Sequence, residues 1–249
     1  MPKLRTDPPA QKIEIVQSFI RRLDDFKSKE NQSIPLLGQF LARFKVGLPK
    51  LEQEYQIWQK ATAPNFNIFR VLRLQRRETK LHSCFLAELL VPTGSHGQAD
   101  TFLTAFLGLA KDVGLRCPSE CGGDLDWRVT TEEAVNEHDR LDIVLRGTRH
   151  GCTKPEFIMV IENKIDAAEG TEQLRRYYDN WLQKQPADFR NLVFLTPDGR
   201  EPETISKDKC MCLSYRDHVT KWLRNTRDQI KPQYLQFAID QYLQVVDAL

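Results

Sequence analysis

The sequence predicts an α/β fold, namely an α/β/α sandwich that has a short mixed sheet and follows a helical N-terminal region. The central part of the chain contains four short apolar runs with the length and composition of buried strands, at residues 125–130, 141–145, 156–161 and 191–196. A helical pattern at residues 171–185 separates the last two runs, and a strand–helix–strand unit of this length favours parallel strands. Helical patterns on both sides of this central part complete the prediction.

The first part of the chain, residues 1–60, is predicted to form a separate helical region. Five apolar residues recur there at the three- or four-residue spacing of an amphipathic helix, namely Ile13, Val16, Ile20, Leu23 and Phe26. Further helical runs follow in residues 36–58, with interruptions expected near Pro35 and Pro49. Residues 64–249 are predicted to form the main domain.

Helices are also predicted around the sheet of the main domain. A turn at residues 64–67 is followed by one long helix over residues 67–90 and by another over residues 99–109. After the last predicted strand, two further helical patterns cover residues 215–225 and 232–249.

Composition is that of an ordinary globular protein. With 249 residues, 41% hydrophobic and 28% charged, the chain is long enough for one substantial core and an appendage. The formal net charge of +2 is too small to indicate a nucleic-acid binder by bulk electrostatics. No apolar run approaches the roughly 20 residues that a membrane span needs, so we expect no membrane partner and a cytoplasmic location.

The cysteines indicate reduced thiols. Six of them are scattered through the chain without the dense spacing of a secreted disulfide scaffold. A structural zinc site is the alternative, but its candidate ligands have C-x3-C and C-x-C spacing instead of two CxxC pairs, namely Cys117, Cys121, Cys210 and Cys212. We therefore expect buried or surface thiols.

The most informative segment is residues 157–164, where an apolar run ends abruptly in Glu162, Asn163 and Lys164. Side chains two apart on a strand point to the same face, so Glu162 and Lys164 emerge side by side. Asp142 lies within a second apolar run, where a core strand would normally carry an aliphatic residue, and pairing of the two strands would bring it close to Glu162. Two carboxylates and one ammonium at strand ends suit a hard cation such as Mg²⁺, which suggests phosphodiester hydrolysis.

These residues, taken in order, resemble the PD-(D/E)XK nuclease superfamily. Asp142 stands in LDIVL, the ENK motif follows FIMVI, and Gln173 and Tyr177 on the next predicted helix match the QxxxY pattern of the RecB-type and lambda-exonuclease-type branch. Residues 67–107 are similar to a bacterial subgroup of uncharacterised or defence-associated members. The resemblance extends over roughly residues 64–245 and departs from the family name at Leu141, which stands at a position that carries no ligand.

The resemblance implies a restriction-endonuclease-like fold and a nuclease that depends on Mg²⁺ or Mn²⁺. Asp142 and Glu162 would be the metal ligands, and Lys164 would be the catalytic lysine. Gln173 and Tyr177 would border the site from the next helix, where their i, i+4 spacing places them on one face.

Two further metal ligands are candidates. The backbone carbonyl of Asn163 is one, because Mg²⁺ accepts few protein ligands and retains several waters. Glu78 is the other, because many members of the superfamily carry an acidic residue on the first core helix, and it would bind directly or through water. The alternative for Glu78 is a surface salt bridge with Arg73 or Arg76. His82 is expected to cap a loop without taking a direct part.

Basic residues near Glu78 predict a contact surface for nucleic acid. They repeat at near-helical spacing through the predicted helix over residues 67–90, and they are Arg70, Arg73, Arg76, Arg77 and Lys80. Arg175 and Arg176 add two charges on the helix that bears Gln173. The alternative is that these residues form solvated helix faces.

Together these features predict a nuclease in the cytoplasm of a bacterium or archaeon, acting on DNA in preference to RNA, in antiviral defence or DNA repair. Besides nucleic acid, a second copy of the chain or a defence-system protein is a candidate partner. Two alternatives stay open, a catalytically inactive nucleic-acid-binding or scaffold protein on the same fold and an RNA-cleaving toxin. Intact Asp142, Glu162 and Lys164 argue against the inactive protein, which has no chemical reason to keep all three.

Overall fold

The computed structural model describes residues 17–18, 21, 35–118 and 125–249 and divides the chain into two compact units, Met1–Phe66 and Asn67–Leu249. The amphipathic helix predicted from Ile13 to Phe26 lies, at all five of its apolar positions, outside the described residues. The predicted division into residues 1–60 and 64–249 stays a prediction.

In the first unit, α1 (Pro35–Thr62) continues through Pro49. The interruption predicted near Pro49 is therefore wrong. A proline inside a helix leaves the carbonyl four residues earlier without its donor, but Pro49 is exposed, so water can supply the missing hydrogen bond. The helix ends before Ala63, whose φ of 41° lies in the left-handed region.

Within the described residues, the second unit is built on a five-stranded mixed sheet with the strands in chain order. They are β1 (Leu125–Ala134), β2 (Arg140–Arg149), β3 (Pro155–Asn163), β4 (Phe189–Thr196) and β5 (Met211–Ser214). β1, β2 and β3 are antiparallel neighbours, whereas β4 and β5 run parallel to β3. The four predicted strands and the parallel β3–β4 pair are confirmed, and β5 is an additional strand that no sequence pattern predicts.

The single long helix predicted over residues 67–90 is wrong. The segment instead divides into three helical pieces, namely α2 (Ile68–Val71), a π-helical turn (Glu78–Ser83) and α3 (Cys84–Leu90). Arg73 ends the first piece because its φ of 56° lies in the left-handed region, which an α-helix cannot continue through. The basic residues between positions 70 and 80 therefore do not form one continuous helical stripe.

The remaining predicted helices are confirmed, with modified ends. They are α4 (Thr101–Asp112), α5 (Gln173–Arg176), α6 (Thr220–Arg227) and α7 (Gln233–Val246). α5 continues into a π-helical turn (Tyr177–Trp181) and a 3₁₀ turn (Leu182–Lys184), and another π-helical turn (Tyr215–Val219) leads into α6. None of the helices in the described part of the chain combines the length and apolar content that a membrane span requires.

The sheet separates two clusters of buried apolar side chains. The larger cluster joins one face, through residues such as Met159 and Ile161, to α3, α4, α6 and α7. The smaller cluster joins the other face, through Ile158 and Val160, to α5 and the turns that follow it. Helices thus cover both faces, and the predicted α/β/α sandwich is confirmed.

β2 and β3 separate at one end of the sheet, where β2 begins and β3 ends. Their regular pairing ends with Ile143 opposite Ile161, so Asp142 and Glu162 occupy the next position on each strand. Because the strands are antiparallel, the start of β2 and the end of β3 lie at the same end of the sheet. The fold thereby brings together two acidic residues that are 20 positions apart in the sequence.

Candidate functional site

Asp142 lies at the point where the two strands part. Its side chain is buried, and Oδ2 accepts a hydrogen bond of 2.7 Å from the backbone N–H of Asn163. This bond takes the place of regular strand pairing and fixes the carboxylate against the end of β3. Burial raises the pKa of Asp142 to about 6, because the charged form has lost most of its water.

Glu162 is the most deeply buried acid of the site, with 1% of its surface exposed. Its Oε1 accepts from Lys164 Nζ at 2.7 Å and from Gln173 Nε2 at 2.8 Å. Its Oε2 is also buried, but no donor among the described residues reaches it. Burial, followed by the charge of Asp142, raises the pKa of Glu162 to about 8.

Lys164 lies beside Glu162, as the spacing of two along β3 predicts, with 14% of its side chain exposed. Burial acts to lower the pKa of Lys164, but the negative charges of Glu162, Asp142 and Glu78 outweigh burial and raise it. The ammonium is therefore protonated at neutral pH.

Gln173 and Tyr177 form a hydrogen-bonded chain beside Glu162. Gln173 Nε2 donates both to Glu162 and, at 2.8 Å, to the hydroxyl of Tyr177, which donates in turn to the backbone carbonyl of Arg140 at 2.7 Å. Burial raises the pKa of Tyr177, so its hydroxyl keeps its proton and remains a donor. The predicted i, i+4 pair thus connects the end of β3 to the start of β2.

Glu78 lies at the same end of the sheet, but its carboxylate accepts hydrogen bonds from the backbone. Its Oε1 accepts from the N–H groups of Ile165 at 2.7 Å and Asp166 at 3.3 Å, directly after Lys164. The salt bridge with Arg73 or Arg76 that was the alternative is not among the ion pairs of the described residues, and Arg76 pairs with Asp166. Glu78 therefore holds the segment that follows β3.

The sequence reasoning missed Glu132. The β1–β2 pairing continues in one register on both sides of it, which places Glu132 opposite Asp142. Its φ of 52° is unusual for a residue other than glycine, and its Oε1 is buried without a hydrogen-bond partner in the described part of the chain. Its charge also acts to raise the pKa of Asp142. No sequence pattern separates this glutamate from the other polar residues of β1.

The basic residues assigned to nucleic-acid contact are only partly available. Four already have partners, which are the Gln244 carbonyl for Arg70, Asp166 for Arg76, Glu172 and Asp179 for Arg175, and Asp139 for Arg176. Arg73, Arg77 and Lys80 are exposed near Glu78. These three side chains stay the candidates for the predicted contact with phosphates.

The donor set fits a hard divalent cation. In the described part of the chain, Glu162 presents a buried oxygen with no donor. Lys164 pairs with the other oxygen of Glu162 and is also influenced by the charge of Asp142. A cation can take the place of the protons that burial favours on these two acids. Among the described residues, however, no three His, Cys, Asp or Glu side chains are grouped closely enough to hold a metal by themselves. The remaining coordination positions would fall to water and to the carbonyl of Asn163.

Comparison with known proteins agrees with this arrangement. Residues 66–244 match the family model of the PD-(D/E)XK nuclease superfamily, and the match includes all five strands and every acidic residue discussed above. No significant match was found among curated proteins or among solved structures. The site has an acidic residue on β2 and a Glu-x-Lys motif at the end of β3. Because the family model also matches most of the chain, the chain belongs to the PD-(D/E)XK nuclease superfamily.

Proposed function

We propose that this protein is a Mg²⁺- or Mn²⁺-dependent nuclease that hydrolyses phosphodiester bonds of DNA. The observation that carries the proposal is the buried Glu162. One of its oxygens accepts from Lys164, the other has no donor among the described residues, and the charge of Asp142 acts on the same group. An inactive scaffold has no need to bury two acids against one ammonium. Family membership supports the same reaction class.

Asp142 and Glu162 would hold the metal ion, with the backbone carbonyl of Asn163 as a further ligand and Glu78 acting through water. When bound, the ion would stabilise the negative charge that develops on the phosphate and lower the pKa of a water molecule. One oxygen of Glu78 already accepts hydrogen bonds from two backbone N–H groups, which supports binding of the metal ion through water.

Lys164 would supply a fixed positive charge. Its ammonium is protonated at neutral pH, so it cannot act as a general base without first losing a proton that its neighbours stabilise. A preorganised cation next to the scissile phosphate stabilises the extra charge of the transition state.

Gln173 and Tyr177 would hold the Glu162 carboxylate in position. Gln173 donates to the same Glu162 oxygen as Lys164, and Tyr177 anchors Gln173 to the backbone of β2. The other oxygen of Glu162, which has no donor among the described residues, would then be available to a metal ion. The arrangement supports assignment to the QxxxY branch of the superfamily.

The proposed substrate is DNA, contacted by the exposed Arg73, Arg77 and Lys80 near Glu78. We place the activity in antiviral defence or DNA repair in a prokaryotic cytoplasm, where a second copy of the chain or a defence-system protein is the expected partner. These assignments rest on the family resemblance.

A cleavage assay tests the proposal. Labelled DNA and RNA of the same sequence are incubated side by side with the protein in Mg²⁺, in Mn²⁺ and in EDTA. We expect cleavage of DNA with either metal and none in EDTA. Cleavage of RNA alone would identify an RNA-cleaving toxin. No cleavage of either by the wild-type protein would favour the inactive scaffold.

A further inference from the structure

Asn163 turns its side chain away from the residues on either side of it. Successive side chains on a strand face opposite sides, so Asn163 shares a face with Met159 and Ile161 and points into the larger core. Its side chain is completely buried there. A buried amide must find its hydrogen-bond partners within the protein.

Both polar atoms of the Asn163 side chain have such partners. Nδ2 donates to Ser83 Oγ at 3.1 Å and, at 3.4 Å, to the backbone carbonyl of Glu78, while Oδ1 accepts from the hydroxyl of Tyr215 at 2.9 Å. The backbone N–H of the same residue donates to Asp142. One residue therefore ties the β2 carboxylate, the π-helical turn at residues 78–83 and Tyr215 to the end of β3.

Tyr215 is in turn held by two buried side chains, His82 and Tyr242. The ring of His82 has its centroid 5.3 Å from that of Tyr215 and 5.5 Å from that of Tyr242. His82 Nε2 lies 3.1 Å from the carbonyl oxygen of Gln75, which can only accept, so Nε2 carries the hydrogen. Burial lowers the pKa of His82 to about 4 and keeps the ring neutral, so Nδ1 accepts from the Tyr242 hydroxyl at 2.9 Å.

We propose that Tyr215 is a positioning residue of the nuclease site and that it acts through Asn163. Its hydroxyl fixes the orientation of the Asn163 amide, and so fixes the stretch of backbone from which Glu162 and Lys164 project on the opposite face. Among the described residues, Tyr215 has no hydrogen bond to Glu162 or Lys164, so its effect on the reaction is indirect. This inference rests on the proposed function, because it assigns Tyr215 to that same site.

The substitution Tyr215→Phe tests the inference, because it keeps the ring in the core and removes only the hydroxyl. We expect kcat for metal-dependent DNA cleavage to fall about 10-fold or more, since small misplacement of catalytic groups is costly. KM should change less than about twofold, because residues that bind DNA elsewhere are unaffected. A purely structural role would lower the melting temperature and leave kcat unchanged.

Two further variants serve as controls. Thr226→Val removes another buried hydroxyl, which donates to the carbonyl of Trp222 at 2.9 Å and has no bond to Asn163. It should lower the melting temperature and leave kcat unchanged. Tyr242→Phe removes a hydroxyl one step further from Asn163 and should reduce kcat less than Tyr215→Phe does.

A measurement that needs no cleavage separates this inference from the proposed function. In NMR spectra, the Nδ2 protons of Asn163 should exchange with solvent about 10-fold faster or more in Tyr215→Phe than in the wild type, because the amide has lost an anchor. Wild-type protein that cleaves neither DNA nor RNA would overturn the proposed function and leave this result standing. Equal exchange and equal kcat in the two proteins would overturn the positioning role of Tyr215.

Discussion

Lys164 is placed to stabilise the fold as well as to serve the proposed chemistry. Its ammonium is the ion partner of a carboxylate that is almost completely buried, and removal of one partner of such a pair leaves the other charge uncompensated. The pKa of Glu162, already raised to about 8, would rise further without the ammonium, and a metal ion would have to displace a more tightly held proton. Loss of the lysine should therefore affect the site twice, through the missing cation and through weaker metal binding by Glu162.

Substitution Lys164→Ala should lower kcat for DNA cleavage by about 10²- to 10³-fold, the usual cost of losing one preorganised group that stabilises the transition state. DNA affinity should change little, because only a small part of this side chain reaches the surface. Single-turnover cleavage and a DNA-binding titration measure the two effects.

Lys154→Ala is the matched control for that experiment. Lys154 precedes β3 at its opposite end, is exposed, and faces Asp188 at 3.8 Å. Its removal should leave cleavage unchanged. Wild-type rates in Lys164→Ala would remove the lysine from the mechanism.

At the scale of elements, regular patterns were predictable and their interruptions were not. The apolar runs place Asp142 on one strand, Glu162 on another and Lys164 directly after it, and the i, i+4 spacing places Gln173 and Tyr177 on one helix face. The break at residues 72–77 contains no glycine or proline, and arginine, leucine and glutamine favour helices, so local propensity points the wrong way there.

β5 was not predicted for a different reason. It has four residues, from Met211 to Ser214, and is too short to display a period of two. The sheet extends to it through four pairs with β4. Its pairing partner, and not its own sequence, makes it a strand.

The broken segment at residues 72–77 leads to a prediction about DNA binding. Arg77 is exposed directly before Glu78, so Arg77→Ala should remove about one phosphate contact and reduce the slope of log K against log salt by about 0.9. A DNA-binding titration in Ca²⁺, under conditions in which the DNA is not cleaved, measures the slope over a range of salt concentrations.

The control for this experiment is Arg224→Ala on α6. Arg224 is also exposed, but it pairs with Asp247 at 3.1 Å and lies outside the proposed contact surface. The slope should not change. A wild-type slope in Arg77→Ala would place the DNA elsewhere on the protein.

At the scale of the whole molecule, long-range contacts set the limits of sequence reasoning. Tyr215 meets Asn163 across 52 positions, and Glu132 stands opposite Asp142 because of the register of a complete strand pair. Neither relation leaves a local pattern. The network behind the site is a property of the packed domain, whereas Asp142 and Glu162 can be read from two short runs.

The raised pKa values of Asp142 and Glu162 predict how stability depends on pH. Both acids hold protons more tightly when folded, with pKa values of about 6 and about 8. Their contribution to stability is complete below about pH 4 and is lost as the pH rises through 6 to 8. The free energy of unfolding in EDTA should therefore fall across that range, by at most about 1.4 kcal/mol per pH unit for each proton.

Urea denaturation at pH 5, 6, 7 and 8 measures this dependence, with EDTA or with saturating Mg²⁺. Mg²⁺ should restore stability most at pH 8, where it competes with fewer protons. Glu162→Gln should flatten the EDTA curve between pH 6 and 8. A wild-type stability in EDTA that rises over this interval would contradict the shifted acids.

Among the described residues, π-helical turns contribute Glu78, Tyr177 and Tyr215, each of which bonds within the site or its support. A π-turn contains one residue more than an α-turn and widens the helix locally. Deletion of a single residue from any of these turns could restore an ordinary helix, yet every side chain beyond the deletion would rotate by about 100°. Length changes in these short segments should thus be harder to accommodate during divergence than substitutions of the residues within them.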